Sequence, residues 1–189
     1  MKKLILIMAV VTMFGTANAQ KKKPIPVRKA VTSSSSANQT AEGKILIEAN
    51  TGFGQAHPAS TAISFSSTDG ASDYNVGVEG GYFIMDDLAV KVGLGFGGNS
   101  PKEGDGTSRF SYKIGAKYYI LSMIPVQLDY SGVKPKGDAS SFLGIQAGYA
   151  LFLGDNVSVE PGIRYNMTLN KDTAPKDTLE FNVGFALHF

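Results

Sequence analysis

The chain of 189 residues has no cysteine, no tryptophan and only two histidines. Without cysteine there can be no disulfide framework and no lipid anchor on a cysteine side chain. His57 lies in a connection rich in small and polar residues, and His188 is the next-to-last residue. No Ser/His/Asp constellation and no metal-ligand spacing is visible around either of them. A lipid-modifying site of His57 with Ser60, Ser64 or Asp69 is conceivable, but a plain polar loop histidine accounts for the same residues. Long apolar runs are also scarce. The longest, residues 4–14, falls short of the roughly 20 residues a membrane-spanning helix needs.

That run sits in an export signal. Lys2 and Lys3 precede it and Ala17-Asn18-Ala19 supplies small residues for cleavage before Gln20, so residues 1–19 read as a signal peptide. The whole chain holds 18 basic and 16 acidic residues, and both signal charges are basic, so the remainder is formally neutral. Its charge is unevenly placed. Residues 20–43 carry Lys21, Lys22, Lys23, Arg28 and Lys29 against Glu42, together with Pro24, Pro26 and four consecutive serines. Such a stretch cannot build a core and reads as a disordered basic arm, either a solvated linker or a weak contact for anionic lipid or cell-wall polymer. No nucleic-acid partner is expected.

From residue 44 onward the pattern is period 2. Apolar and polar or small residues alternate over eight runs, at 45–53, about 74–84, 88–96, 110–120, 124–130, about 142–153, 157–169 and 179–189. Pro125 opens the fifth. Pro161 lies inside the seventh, where a bulge or a missing ladder bond is expected. The connections at 86–87, 121–123 and 154–156 are short. Those at 54–73, 98–109, 131–141 and 170–176 are longer, and the two kinds alternate without exception. Antiparallel membrane strands with short turns on one side and long loops on the other need this arrangement.

A soluble barrel shares the period but puts its apolar face inside. Three features point the other way. Every charge within the runs falls on the polar face: Glu48, Glu79, Lys91, Lys113, Lys117, Asp129, Glu160, Arg164 and Glu180. A charge at mid-bilayer on the other face would cost about 2–4 kcal/mol. The polar face is also dense in glycine, which weakens an exposed sheet but makes room inside a narrow barrel. Finally, Phe53, Tyr74, Phe96, Phe110, Tyr112 and Tyr130 gather near one end of the runs, and Tyr82, Tyr118, Tyr149, Phe185 and Phe189 near the other. Two such girdles suit a bilayer with two interfaces, built from Tyr and Phe because Trp is missing. The expected fold is therefore all-β, an eight-stranded antiparallel up-and-down transmembrane β-barrel over residues 44–189.

Those runs, with the closing strand that ends on Phe189, resemble the small outer-membrane β-barrel domains of the OmpA/OmpX-like group. A signal peptide leaving Gln20 first is also similar to many Bacteroidota exports. The resemblance implies a bacterial outer-membrane location with the arm and the C-terminal strand periplasmic, and four loops outside. It implies that Phe185, Leu187 and Phe189 form the signal read by the barrel-insertion machinery. OmpA-type proteins continue into a peptidoglycan-binding domain, which this sequence does not show, so the resemblance does not carry a cell-wall tether over to it.

The nine inward charges should pair into a salt-bridge network that fills the lumen, because an isolated buried charge is prohibitively costly. No cofactor, metal or catalytic residue is expected. Gly93, Gly95 and Gly98 fit a dinucleotide fingerprint formally, but they lie in a strand with no helix to follow. The expected role is a structural or interaction scaffold whose contact surface is the 54–73 loop. The alternatives are a narrow non-specific pore and, more remotely, a loop-sited lipid enzyme.

Overall fold

The computed structural model describes residues 39–53, 60–134, 139–170 and 177–189. The 1–19 leader, most of the 20–43 arm, His57 and the middles of three long connections lie outside the described residues. In chain order the strands are β1 (Ile45–Phe53), β2 (Ser64–Thr68), β3 (Ala71–Met85), β4 (Leu88–Ser100), β5 (Thr107–Ile120), β6 (Ile124–Lys134), β7 (Ser140–Gly148), β8 (Leu151–Phe152), β9 (Val157–Thr168) and β10 (Thr178–His188).

β3 to β7 and then β9 and β10 pair antiparallel in succession. β10 pairs with β1, and β1 pairs with β3, which closes the ring. With β7 and β8 taken as one broken stave and β2 set aside, the barrel has eight staves. Each alternates. In β4, Ala89, Lys91, Gly93 and Gly95 face inward while Val90, Val92, Leu94 and Phe96 face outward. Around the barrel the buried side chains include the ionic ones, and Val76, Val78, Val92, Ile114, Ile163 and Phe185 are exposed. Hydrocarbon requires this combination of a closed backbone ladder, an apolar outer belt and a polar interior. The fold is a transmembrane β-barrel.

The structure departs from the alternation pattern in four places. The 54–73 stretch is not one loop. Residues 64–68 form β2, which pairs with β3 from Ser64↔Asn75 to Thr68↔Ala71. Its turn is Asp69-Gly70, with φ of 51° and 85°. An Asp-Gly pair tolerates the two positive φ values that a tight hairpin turn demands.

β3, β4, β5 and β6 also run several residues past the apolar stretches that mark them in the sequence. Beyond the apolar belt, polar partners hold the ladder: Asp73 faces Asn99 and Asn99 faces Thr107.

The run at 142–153 breaks after Gly148. Tyr149 donates its N–H to the Pro161 carbonyl at 3.0 Å, but Pro161 has no N–H to return. The N–H of Ala150 turns instead to Met123 O at 2.7 Å. Gly148↔Gly162 and Leu151↔Val159 keep one register, so the missing bond is present and no bulge accompanies it.

Finally, residues 39–43 do not belong to a disordered arm. Gln39 and Thr40 are buried, Asp87 N–H donates to Thr40 O at 2.7 Å, and Gly43 N–H donates to Phe83 O at 2.9 Å.

Candidate functional site in the barrel lumen

Inward positions of all eight staves converge on one ionic cluster. Glu48 of β1 and Glu79 of β3 are register partners, a like-charge pair that would repel if left alone. Lys91 of β4 lies between them, 2.8 Å from an oxygen of each and 2.9 Å from Gln127 Oε1. Lys113 takes the other oxygen of Glu79 at 2.5 Å. Lys117 reaches Glu48 Oε2 at 2.5 Å and also pairs with Glu160. Asp129 accepts a two-pronged contact from Arg164 at 2.7 and 2.6 Å, and Gln127 donates to the same carboxylate at 2.8 Å. Asn166 holds Arg164 Nε at 2.8 Å. All nine charges expected from the sequence are buried here, and Glu180 lines the same space as Arg164.

Each of the four cations lies against at least one carboxylate. Burying each ion costs several kcal/mol, which only close, well-directed partners offset. The cavity among Asn50, Lys113, Gln146, Arg164, Glu180 and Asn182 is about 20 Å³, room for about one water.

Described residues pack into the lumen toward both of its ends. At the short-turn end, Leu46, Phe83, Ala89, Tyr119, Ala150 and Ala186 form a buried apolar layer with Phe152 packed against it. Tyr119 also donates its hydroxyl to Glu160 at 2.8 Å, which joins this layer to the ionic one. His188 belongs to the layer. Its ring lies 2.9 Å from Ser158 Oγ and 3.1 Å from Gln39 O.

Toward the long-loop end, residues 60–62 fold inward. Thr61 donates to Glu79 Oε1 at 2.5 Å, and Ser60 O accepts from Asn75 at 2.9 Å and from Ser111 at 2.8 Å. This segment fills a wedge in the wall. β1 and β3 pair only from Ile45↔Tyr82 to Glu48↔Glu79, and above that point Ile63 N–H donates to Asn50 O at 2.6 Å.

Glycine makes the inward fold possible. A Cβ on Gly77 would lie 2.2 Å from Thr61 O, and one on Gly95 would lie 2.8 Å from Ser60 O. Gly144 similarly leaves room for Arg164, whose Nη2 would be 2.0 Å from an added Cβ.

Of the residues considered for a loop-sited enzyme, Ser64 opens β2, Asp69 makes its turn and Ser60 enters the lumen; His57 lies outside the described residues. The glycine run at 93–98 lies wholly within β4. Phe185, Leu187 and Phe189 face outward and are exposed. Sequence reading missed Gln39, Ser60, Thr61, Tyr119, Ser158 and His188 as lumen residues. Ser158 and His188 were legible as polar-face positions of their strands, but their meeting depends on the β9–β10 register, which sets Leu187 opposite Val157.

No protein-family model matches the chain, and no curated protein matches it. Solved structures are similar at low identity. The N-terminal β-barrel domain of Pseudomonas aeruginosa OprF is 14% identical, with a TM-score of 0.43 over 78% of this chain and 98% of that one. The Yersinia pestis outer membrane protein Ail, solved in a phospholipid bilayer nanodisc, is 14% identical, with a TM-score of 0.47 over 78% of this chain and 100% of that one. Neisserial surface protein A is 19% identical, with a TM-score of 0.40 over 77% of this chain and 96% of that one. No residue role passes from them to this chain.

Proposed function

We propose that the protein is a bacterial outer-membrane scaffold: a barrel with a plugged lumen that presents its long-loop end to surface partners. The observation that carries this reading is the filling of the lumen. The lysines and Arg164 lie against carboxylates, residues 60–62 lie above them, and the cavity among Asn50, Lys113, Arg164 and Glu180 takes about one water. In this reading the lumen carries no path for ions or nutrients. The short turns, the 20–43 arm and the closing strand face the periplasm in this reading, with Phe185, Leu187 and Phe189 addressing the insertion machinery.

The surface role rests on the long-loop end. There β3, β4 and β5 outrun the apolar belt, and β2 adds a hairpin with Phe65 exposed on it. The Arg109 guanidinium clasps Asp73 at 2.7 and 2.6 Å and stiffens that extension. A rigid, projecting sheet is a better contact surface than a mobile loop of the same length, because less ordering entropy is lost on binding. No catalytic activity is part of this reading.

The test is single-channel conductance of the refolded protein in a planar bilayer, with residues 54–63 intact and replaced by a short Gly/Ser link. Silence from the intact protein is expected. Discrete, reproducible steps from the intact protein would overturn the plugged scaffold in favour of a narrow pore, and steps only from the replaced form would place the plug within residues 54–63.

A further inference from the structure

His188 is the last residue of β10, and its ring is enclosed by aromatic neighbours. Phe83 stacks on it at 6.2 Å between centroids, Phe152 lies at 5.6 Å and Tyr119 presents an edge at 6.2 Å. Among the described residues, two polar contacts reach the ring. Nε2 is 2.9 Å from Ser158 Oγ and Nδ1 is 3.1 Å from Gln39 O.

The hydrogens available to these contacts fix what the ring carries. Ser158 Oγ is also 2.9 Å from Glu160 Oε1, and an ionised carboxylate can only accept. The single hydroxyl hydrogen of Ser158 therefore goes to Glu160, and Ser158 meets Nε2 as an acceptor. Gln39 O is a carbonyl and meets Nδ1 as an acceptor as well. Both ring nitrogens must then donate, which an imidazolium does and a neutral imidazole cannot. We propose that His188 is a proton-operated latch: as an imidazolium it ties the carbonyl of Gln39 to the short-turn end of the barrel, and as a neutral ring it releases it.

Charged groups lie near the ring on three strands. These groups are Glu160 on β9, Glu48 on β1 and Lys117 on β5, with the Tyr119 phenol bonded to Glu160.

When the ring loses one hydrogen, the bond toward Ser158 is the better one to keep, because Ser158 relays it to a carboxylate. The Gln39 contact then becomes two facing lone pairs. Gln39 Nε2 still donates to Gly154 O, and Thr40 Oγ1 still donates to Asp87 at 2.5 Å, so the segment loosens without being lost. The latch thus sets how firmly residues 39–43 are held against the short-turn end of the barrel, whichever way the barrel is inserted.

The test uses the full chain refolded in lipid nanodiscs with a His57→Gln change, so that His188 is the only histidine. Ring ¹⁵N shifts and the exchange protection of the Glu42 and Gly43 amides, corrected for intrinsic rates, are followed from pH 5 to 8.5. Both ring nitrogens should be protonated at the acid end. Protection should fall by roughly tenfold in step with ring deprotonation, the worth of one such hydrogen bond. His188→Gln should show the loosened segment at every pH. Ser158→Ala, which leaves the Gln39 contact in place, should move the midpoint of ring and segment together. A ring that changes charge while protection stays constant would overturn the latch. So would a ring that keeps one charge state across the range, or a His188→Gln form that retains the pH dependence.

Discussion

Glu48 and Glu79 stand directly opposite one another where β1 meets β3, and Lys91 Nζ lies 2.8 Å from an oxygen of each. The barrel is closed at a point of repulsion that a third strand neutralises. Lys91→Met should therefore cost about 3–5 kcal/mol, because it leaves facing carboxylates without their bridging cation. Urea unfolding from lipid vesicles measures it. Adding Glu48→Gln should recover part of the loss, since the repulsion is then removed with the bridge; no recovery would mean that packing, not charge, sets the cost.

Gly77 tests whether residues 60–62 occupy the lumen as described. An alanine there places a methyl against Thr61 O, whereas Gly52 has nothing within 4 Å of an added Cβ. Gly77→Ala should destabilise by about 1–3 kcal/mol through overpacking. Gly52→Ala should be nearly silent. Equal effects from the two changes would show that the segment does not sit against β3.

The outward face should answer to lipid and not to water. Val92 lies midway along the apolar belt and is exposed. Val92→Lys should cost about 2–4 kcal/mol when unfolding is measured from a bilayer. The same change in a soluble barrel with an exposed valine would cost far less, so a small effect would contradict the membrane-spanning assignment.

The β2–β3 hairpin depends on its turn. Gly70 sits at φ +85°, a conformation that costs an L-residue roughly 1–2 kcal/mol. Gly70→Val should raise amide exchange in residues 64–68 and leave the eight staves protected. Heat-modified mobility on a denaturing gel would confirm that the barrel itself is intact.

How much of this was legible follows from the range over which each feature is determined. Alternation is local, so the eight staves, their short turns and the inward placement of Glu48, Lys91 and Arg164 could be read residue by residue. β2 escaped that reading because Ser64, Ser66, Ser67 and Thr68 blur the contrast between its faces. The Asp69-Gly70 pair was the signal that could have revealed it. The ends of β3 to β6 escaped because they lie beyond the belt, where polar side chains continue the ladder.

What the sequence determined by itself was the two-faced strand: which side chains meet lipid and which must find partners inside. Which partners they find was decided only when the sheet closed. Lys117 meets Glu48 from 69 residues away and Glu160 from 43, and His188 meets the carbonyl of Gln39 from 149. Those meetings depend on the curvature, strand tilt and register of the whole ring, because side chains from non-neighbouring staves share one narrow interior. The same closure left β1 and β3 parted above Glu48, and residues 60–63 occupy the gap. The local pattern sorts each residue to a side of the wall; the closed ring decides what waits for it there.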